Sequence, residues 1–128
     1  MRLYHYTCAH GRKLLGRRGM LRPQPQPVLG NARVLWLTTA ERPNREGLGL
    51  TSHLLDCDRL EYRYVVESDA AEPWVSSLVR RTAHPSGVLE LESVDGVEPS
   101  SWWVTQESVL GVLDRSYRLA GNAIGGAA

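Results

Sequence analysis

Phenylalanine is absent from this chain, cysteine and methionine occur only twice each, and no acidic residue precedes Glu41. Without phenylalanine, aromatic burial falls to Trp36, Trp74, Trp102, Trp103 and five tyrosines, each carrying a polar handle into any core it builds. Cys8 and Cys57 form no C-x-x-C pair, which argues against a disulfide framework and a structural zinc site. No apolar run approaches the roughly 20 residues of a membrane span, so no membrane partner is expected. Arg2 leads straight into a strand pattern, without the apolar stretch and small-residue cleavage site of a secretory signal. The cytoplasm is the expected location. Several signatures are missing too: there is no GxGxxG, no GxxxxGKS/T and no GxSxG. His5, His10, His53 and His84 are scattered, and although Asp56, Cys57 and Asp58 near His53 could donate ligands if folded together, no metal is expected.

What is present starts with Leu3-Tyr4-His5-Tyr6-Thr7, a segment rich in residues that favour extended structure. Alternation places His5 on one face with Leu3 and Thr7. Thr7 is a suitable N-cap for a helix over Cys8 to Arg18, and Gly19 stands where a left-handed C-cap belongs. A strand opening onto a helix N-terminus offers unpaired N–H groups beside a histidine and a hydroxyl, a setting for small polar or anionic ligands. Under the plainer reading Thr7 only caps the helix and His5 is a satisfied strand residue.

Net charge is close to neutral, yet Arg2, Arg12, Lys13, Arg17, Arg18, Arg22 and Arg33 all precede the first acid, and the acids collect later. A basic N-terminal third favours an anionic ligand or acceptor. Arg12, Lys13, Arg17 and Arg18 are expected on the one short helix, either as an acceptor surface or as a solvated face. The cations are nearly all arginine, which suits phosphate or carboxylate recognition.

The remainder predicts an α+β domain over residues 1–119, with the Ala- and Gly-rich residues 120–128 as a frayed tail. Arg22 to Pro27 should be an extended surface loop, because its prolines exclude helix and central strand. Val34 to Thr39 and Leu60 to Val66 read as strands, the latter with Tyr62, Tyr64 and Val66 on one face. Glu41 to Gly49 is a loop able to cover a cleft, and Leu50 to Cys57 is ambiguous, a short helical turn being one reading of it. Pro73 to Thr82 has helical spacing. Val88 to Glu92 and Ser101 to Thr105 read as strands around the Asp95-Gly96 turn, with Trp102 and Trp103 on opposite faces.

This order of features (a strand with His5 and Thr7, a basic helix, a proline-rich loop, a strand Leu35-Trp36-Leu37-Thr38-Thr39 and a late strand followed by Gln106-Glu107) resembles the compact ADP-ribosyltransferase fold. The likeness is to the branch of tRNA 2′-phosphotransferases and nucleic-acid-modifying toxins. The pattern also resembles small actinobacterial and phage proteins, down to Leu48-Gly49-Leu50-Thr51-Ser52 and Cys57-Asp58-Arg59. The resemblance implies a split, mainly antiparallel sheet with few short helices, and NAD as substrate. It implies His5 on the adenosine ribose, the backbone at Tyr6 or Thr7 on the nicotinamide amide, Thr38 or Thr39 lining the pocket and Trp36 or a tyrosine stacking on a ring. Glu107 would be the catalytic acid and a protein or nucleic acid the acceptor. The second-motif tyrosine of many members is replaced here by Trp36 and Thr38, with Tyr62 and Tyr64 the nearest tyrosines downstream. Cleaving the nicotinamide–ribose bond builds an oxocarbenium-like cation that a nearby carboxylate stabilises. On that basis His5, Thr38 and Glu107 should converge on one pocket. Two other readings stay open. Cys8 at a helix N-terminus near His5 and His10 could act as a thiolate nucleophile, or be a buried apolar residue. Alternatively the chain is a non-enzymatic interaction module that binds a protein or nucleic acid through its basic helix.

Overall fold

A computed structural model of the protein describes residues 1–42, 48 and 60–117. Its strands are β1 (Arg2–Thr7), β2 (Arg18–Leu21), β3 (Gln24–Gln26), β4 (Ala32–Thr38), β5 (Tyr62–Glu67), β6 (Glu72–Pro73), β7 (Trp102–Thr105) and β8 (Val109–Leu113). Its helices are α1 (Ala9–Leu15), α2 (Leu78–Thr82) and α3 (Pro85–Glu92), with single 3-10 turns at Pro27–Leu29, Trp74–Ser76 and Pro99–Ser101. The strands form one sheet in the order β2-β8-β5-β1-β4-β7-β6, and β3 adds to β4 off that path. Every pairing is antiparallel. The fold is therefore α+β, an antiparallel sheet with short helices.

The sheet is weakly joined at its middle. β1 pairs with β5 continuously from Arg2↔Glu67 to Thr7↔Tyr62, but with β4 only at Tyr4↔Thr38. Only Gln106, Glu107 and Ser108 then connect β7 to β8, which are separated in the sheet by β4, β1 and β5. Such a link reaches about 14 Å when fully extended, whereas strands that far apart in a flat sheet would stand roughly 19 Å apart. The short link Ser68–Ala71 between β5 and β6 makes the same demand. The two halves must curl toward each other. Leu3, Leu21, Leu35, Leu37, Tyr64, Val66 and Val109, drawn from both halves, accordingly form one buried cluster with Trp103 and Leu15 packed on it.

Residues of opposite parity face the other way and make two further clusters. Val34, Trp102 and Val104 pack with Leu29, Trp74 and Val79 beneath α2 and α3. Tyr4 and Tyr6 pack with Leu60 and Tyr117. Trp36, Trp74 and Trp102 meet at centroid distances of 5.1, 5.7 and 6.2 Å. The Trp74 indole N–H donates to Glu92 (2.7 Å), whose carboxylate also accepts from Arg80 Nε (2.8 Å). That bidentate Arg80 contact holds the Glu92 carboxyl below the usual carboxylate range, against a smaller opposing effect of burial.

The N-terminal helix ends at Leu15, not Arg18, and its caps are Cys8 and Gly16 rather than Thr7 and Gly19. Gly16 has φ 68°, and the chain beyond it is claimed by pairing with β8, so Arg18 and Gly19 lie in β2. Long-range pairing overrides a helix already weakened by Gly11. Gln24 to Gln26 form a short strand with Pro25 inside it, which is tolerated because β3 is an edge. Val88 to Glu92 are helical, not extended. Pro85 starts α3, His84 Nδ1 caps Ser86 N–H (3.1 Å), and Val88 and Leu91 turn onto the same tryptophan cluster. Pro73 to Thr82 splits into the turn Trp74–Ser76 and α2, joined at Ser77, whose hydroxyl caps Arg80 N–H. The alternations of β1, β5 and β7 hold: Tyr64 and Val66 share a face, and Trp102 and Trp103 oppose each other. Most of Glu41 to Gly49, all of Leu50 to Cys57, the Cys57-Asp58-Arg59 segment and the 120–128 tail lie outside the described residues.

Candidate functional site

The gap between β1 and β4 is bridged by side chains where backbone pairing stops. His5 Nδ1 donates to the Trp36 carbonyl (3.0 Å), so the proton sits on Nδ1 and the neutral ring keeps a lone pair on Nε2. The Tyr6 hydroxyl donates to the Ala40 carbonyl (2.6 Å) and the Tyr4 hydroxyl to Glu41 (3.3 Å). Nε2 makes no hydrogen bond among the described residues, and no buried side-chain nitrogen or oxygen there lacks a partner. Nε2 therefore keeps some solvent contact on a half-buried imidazole.

Burial lowers the His5 pKa from its ordinary 6.5, the hydrogen bond to Trp36 opposing in part. The unfolded chain therefore binds this proton more readily than the folded one. Stability from His5 is complete above pH 6.5 and is lost as pH falls below that value toward the folded pKa. Thermal melts are expected to be flat just above pH 6.5 and to decline below it. His5→Gln, which keeps a donor for Trp36, should remove that decline; an unchanged slope would assign it to other groups.

Around His5, register places Tyr64 directly opposite and Tyr62 opposite Thr7. Tyr64 is fully buried, and its hydroxyl donates to the Gly16 carbonyl at the end of α1. Thr7 lies against Gly11, where a Cβ would come within 2.0 Å of the threonine hydroxyl. The Arg12 guanidinium lies over the Tyr62 ring at 5.7 Å. His5, Thr7, Tyr62 and Arg12 thus share one face at one end of the sheet. Neither tyrosine announces this in the sequence, because only the β1–β5 register sets them beside His5.

Other expected site residues stand elsewhere. The Trp36 and Thr38 side chains point to the opposite face from His5, since Thr38 pairs with Tyr4 and Trp36 packs among tryptophans. The Thr38 hydroxyl is buried and committed, donating to the Ser101 carbonyl (2.8 Å) and accepting from Ala40 N–H (3.0 Å). Tyr6 also faces away, against Tyr117. Thr39 is exposed just past β4. The convergence of His5, Thr38 and Glu107 is therefore not formed. Register sets Thr38 opposite Tyr4, and alternation along β1 puts Tyr4 on the face away from His5.

Glu107 is exposed on the β7–β8 link, its N–H bonded to Thr105 Oγ1 (3.0 Å). It lines an open cavity of about 440 Å³ with Thr105, Gln106, Glu72 and Arg81, and His5 is not in that lining. Thr105 pairs with Leu35, at the end of β4 that Tyr4↔Thr38 register aligns with Thr7. Glu107 and Thr7 therefore leave the sheet at the same end. Lys13, Arg17 and Arg18 are exposed, while Arg12 is half-buried; Arg17 and Arg18 lie beyond the helix.

Cys8 is a half-buried N-cap. Among the described residues no group of His, Cys, Asp and Glu could hold a metal ion, and His53, Asp56, Cys57 and Asp58 lie outside them. No helix of the described residues is long and apolar enough to cross a membrane. No protein-family model, curated protein or solved structure matches this chain.

Proposed function

We propose that the chain is an NAD-binding, ADP-ribosyltransferase-like protein that hands ADP-ribose to a macromolecular acceptor, protein or nucleic acid. The observation that carries this reading is the side-chain-bridged gap between β1 and β4, with His5 Nε2 making no hydrogen bond among the described residues and standing on one face with Thr7 and Tyr62. The resemblance implies a split sheet, and the single β1–β4 pair Tyr4↔Thr38 supports a split at that place. His5 and Thr7 suit sugar hydroxyls or an amide, the Tyr62 ring suits stacking, and Arg12 suits a pyrophosphate. Trp36 and Thr38 have no part in this version of the site. Glu107 enters at the same end of the sheet, as the carboxylate that stabilises the developing ribosyl cation. Exposed Lys13, Arg17 and Arg18 would hold an anionic acceptor.

NAD should raise the melting temperature of the wild-type protein, and His5→Ala should weaken its binding about tenfold or more in calorimetry. No thermal shift at millimolar NAD would remove the enzymatic reading. The exposed cations favour the second reading, a non-enzymatic module for an anionic partner, which such a result would leave standing.

A further inference from the structure

β2 is the last strand of its half of the sheet, and its backbone shows which groups face the open edge. Leu113 N–H bonds to the Arg17 carbonyl (2.8 Å), so Arg17 and Leu113 form a hydrogen-bonded pair. In an antiparallel ladder such pairs alternate, so Gly19 and Leu21 also point their backbone groups toward β8. The N–H and C=O groups of Arg18 and Met20 then point away from the sheet. The next ladder agrees in phase: Asp114 N–H bonds to the Arg63 carbonyl (2.9 Å), which turns Val112 toward β5. Among the described residues no strand pairs with the outer edge of β2.

The side chains beside that edge have a consistent character. Met20, Leu110 and Val112 are exposed on one face of β2 and β8 together with Arg18. Arg17, Arg18 and Arg22 are exposed and have no acidic partner among the described residues. Among the described residues the edge thus combines unpaired backbone groups, an apolar strip and a row of unbalanced positive charge.

We propose that the β2 edge takes up an extended, acidic segment of another protein as an added strand, with glutamate or aspartate beside Arg18 and an apolar residue beside Met20. Strand addition supplies affinity through the Arg18 and Met20 backbone, and alternate side chains supply specificity. A second copy of this chain fits less well, because antiparallel β2 against β2 through the same outward groups would set Arg18 opposite Met20 of the other copy, with that copy's Arg18 and Arg22 as its diagonal neighbours. Nucleic acid would use the arginines but leave the backbone edge and the apolar strip without a role. The inference deepens the interaction-module reading by naming the partner, and is independent of NAD.

The test uses the full chain and a fluorescein-labelled peptide in which threonine alternates with glutamate and valine, read by anisotropy. Met20→Pro deletes an outward N–H while sparing the β2–β8 bonds, so it should weaken binding at least about fivefold with little change in melting temperature. Arg18→Glu should weaken binding at least about tenfold and admit a lysine-for-glutamate peptide instead. Full-strength binding by both variants, or none by the wild type, overturns the proposal. Two results overturn it in favour of other partners. A dimer in wild-type sedimentation that Met20→Pro abolishes would point to a second copy. Salt-dependent binding of a single-stranded oligonucleotide, lost with Arg17→Gln and Arg18→Gln but indifferent to Met20→Pro, would keep the module reading and discard the added strand.

Discussion

Trp74→Ala is expected to destabilise the protein by about 3–5 kcal/mol, the usual cost of emptying a large buried aromatic site. Trp74 is fully buried between Trp36 and Trp102, on the face of the sheet that α2 and α3 cover. Its indole N–H also holds Glu92, which in turn binds Arg80, so one side chain ties together the Trp74–Ser76 turn, α2 and α3. Two losses combine: a cavity that the rigid sheet cannot close, and a carboxylate left with one partner fewer. Against a total stability of about 5–15 kcal/mol for a domain of this size, that is a large share. Trp74→Phe should recover part of the packing but not the bond to Glu92. Urea unfolding of the three proteins checks this. A shift below about 1 kcal/mol for the alanine variant would mean that the tryptophan cluster is not the anchor of this face.

Glu107→Gln is expected to lower NAD turnover by about 100-fold to 1000-fold, the scale at which loss of a charge-stabilising group is felt in a transition state. NAD binding and melting temperature should barely change. The structural half of that expectation follows from position: Glu107 is exposed, and its one hydrogen bond among the described residues is made by the backbone N–H. Surface substitutions of this kind stay within about 0.5 kcal/mol. The catalytic half follows from charge. Glutamine keeps the shape and an acceptor oxygen but cannot offset a growing cation, so the loss belongs to kcat and not to binding. Cleavage of NAD at full rate by this variant would refute the role given to Glu107. Arg81, which lines the same cavity, offers the matched control, because Arg81→Gln removes a nearby positive charge and should not slow cleavage.

Much of this architecture is legible from local pattern. Alternation in Leu3 to Thr7 and in Tyr62 to Val66 identifies β1 and β5 and assigns their faces correctly, and the paired tryptophans of β7 divide as alternation requires. These segments are legible because β-branched and aromatic residues at period two have no competing helical reading. Val88-Leu89-Glu90-Leu91-Glu92 also alternates, yet forms α3. There the deciding residues lie upstream: His84 caps and Pro85 initiates, and leucine and glutamate follow readily. Arg18 to Leu21 fail the other way. Their helical continuity with α1 yields to β8, a partner distant in sequence.

The sequence by itself determined an α+β chain with a histidine-bearing first strand, aromatic cores without phenylalanine, and a cation-rich N-terminal third. Those properties reside in composition and in periods of a few residues, where each side chain's preference acts alone. Only the tertiary structure decided which residues meet. It put Tyr62 and Tyr64 beside His5, sent Thr38 and Trp36 to the far face, moved Arg18 from a helix to an open strand edge, and stopped the β1–β4 ladder after Tyr4↔Thr38. Register and strand order are collective choices: a shift by one residue exchanges every face at once, and the burial of whole strands, not the character of any single residue, selects among them.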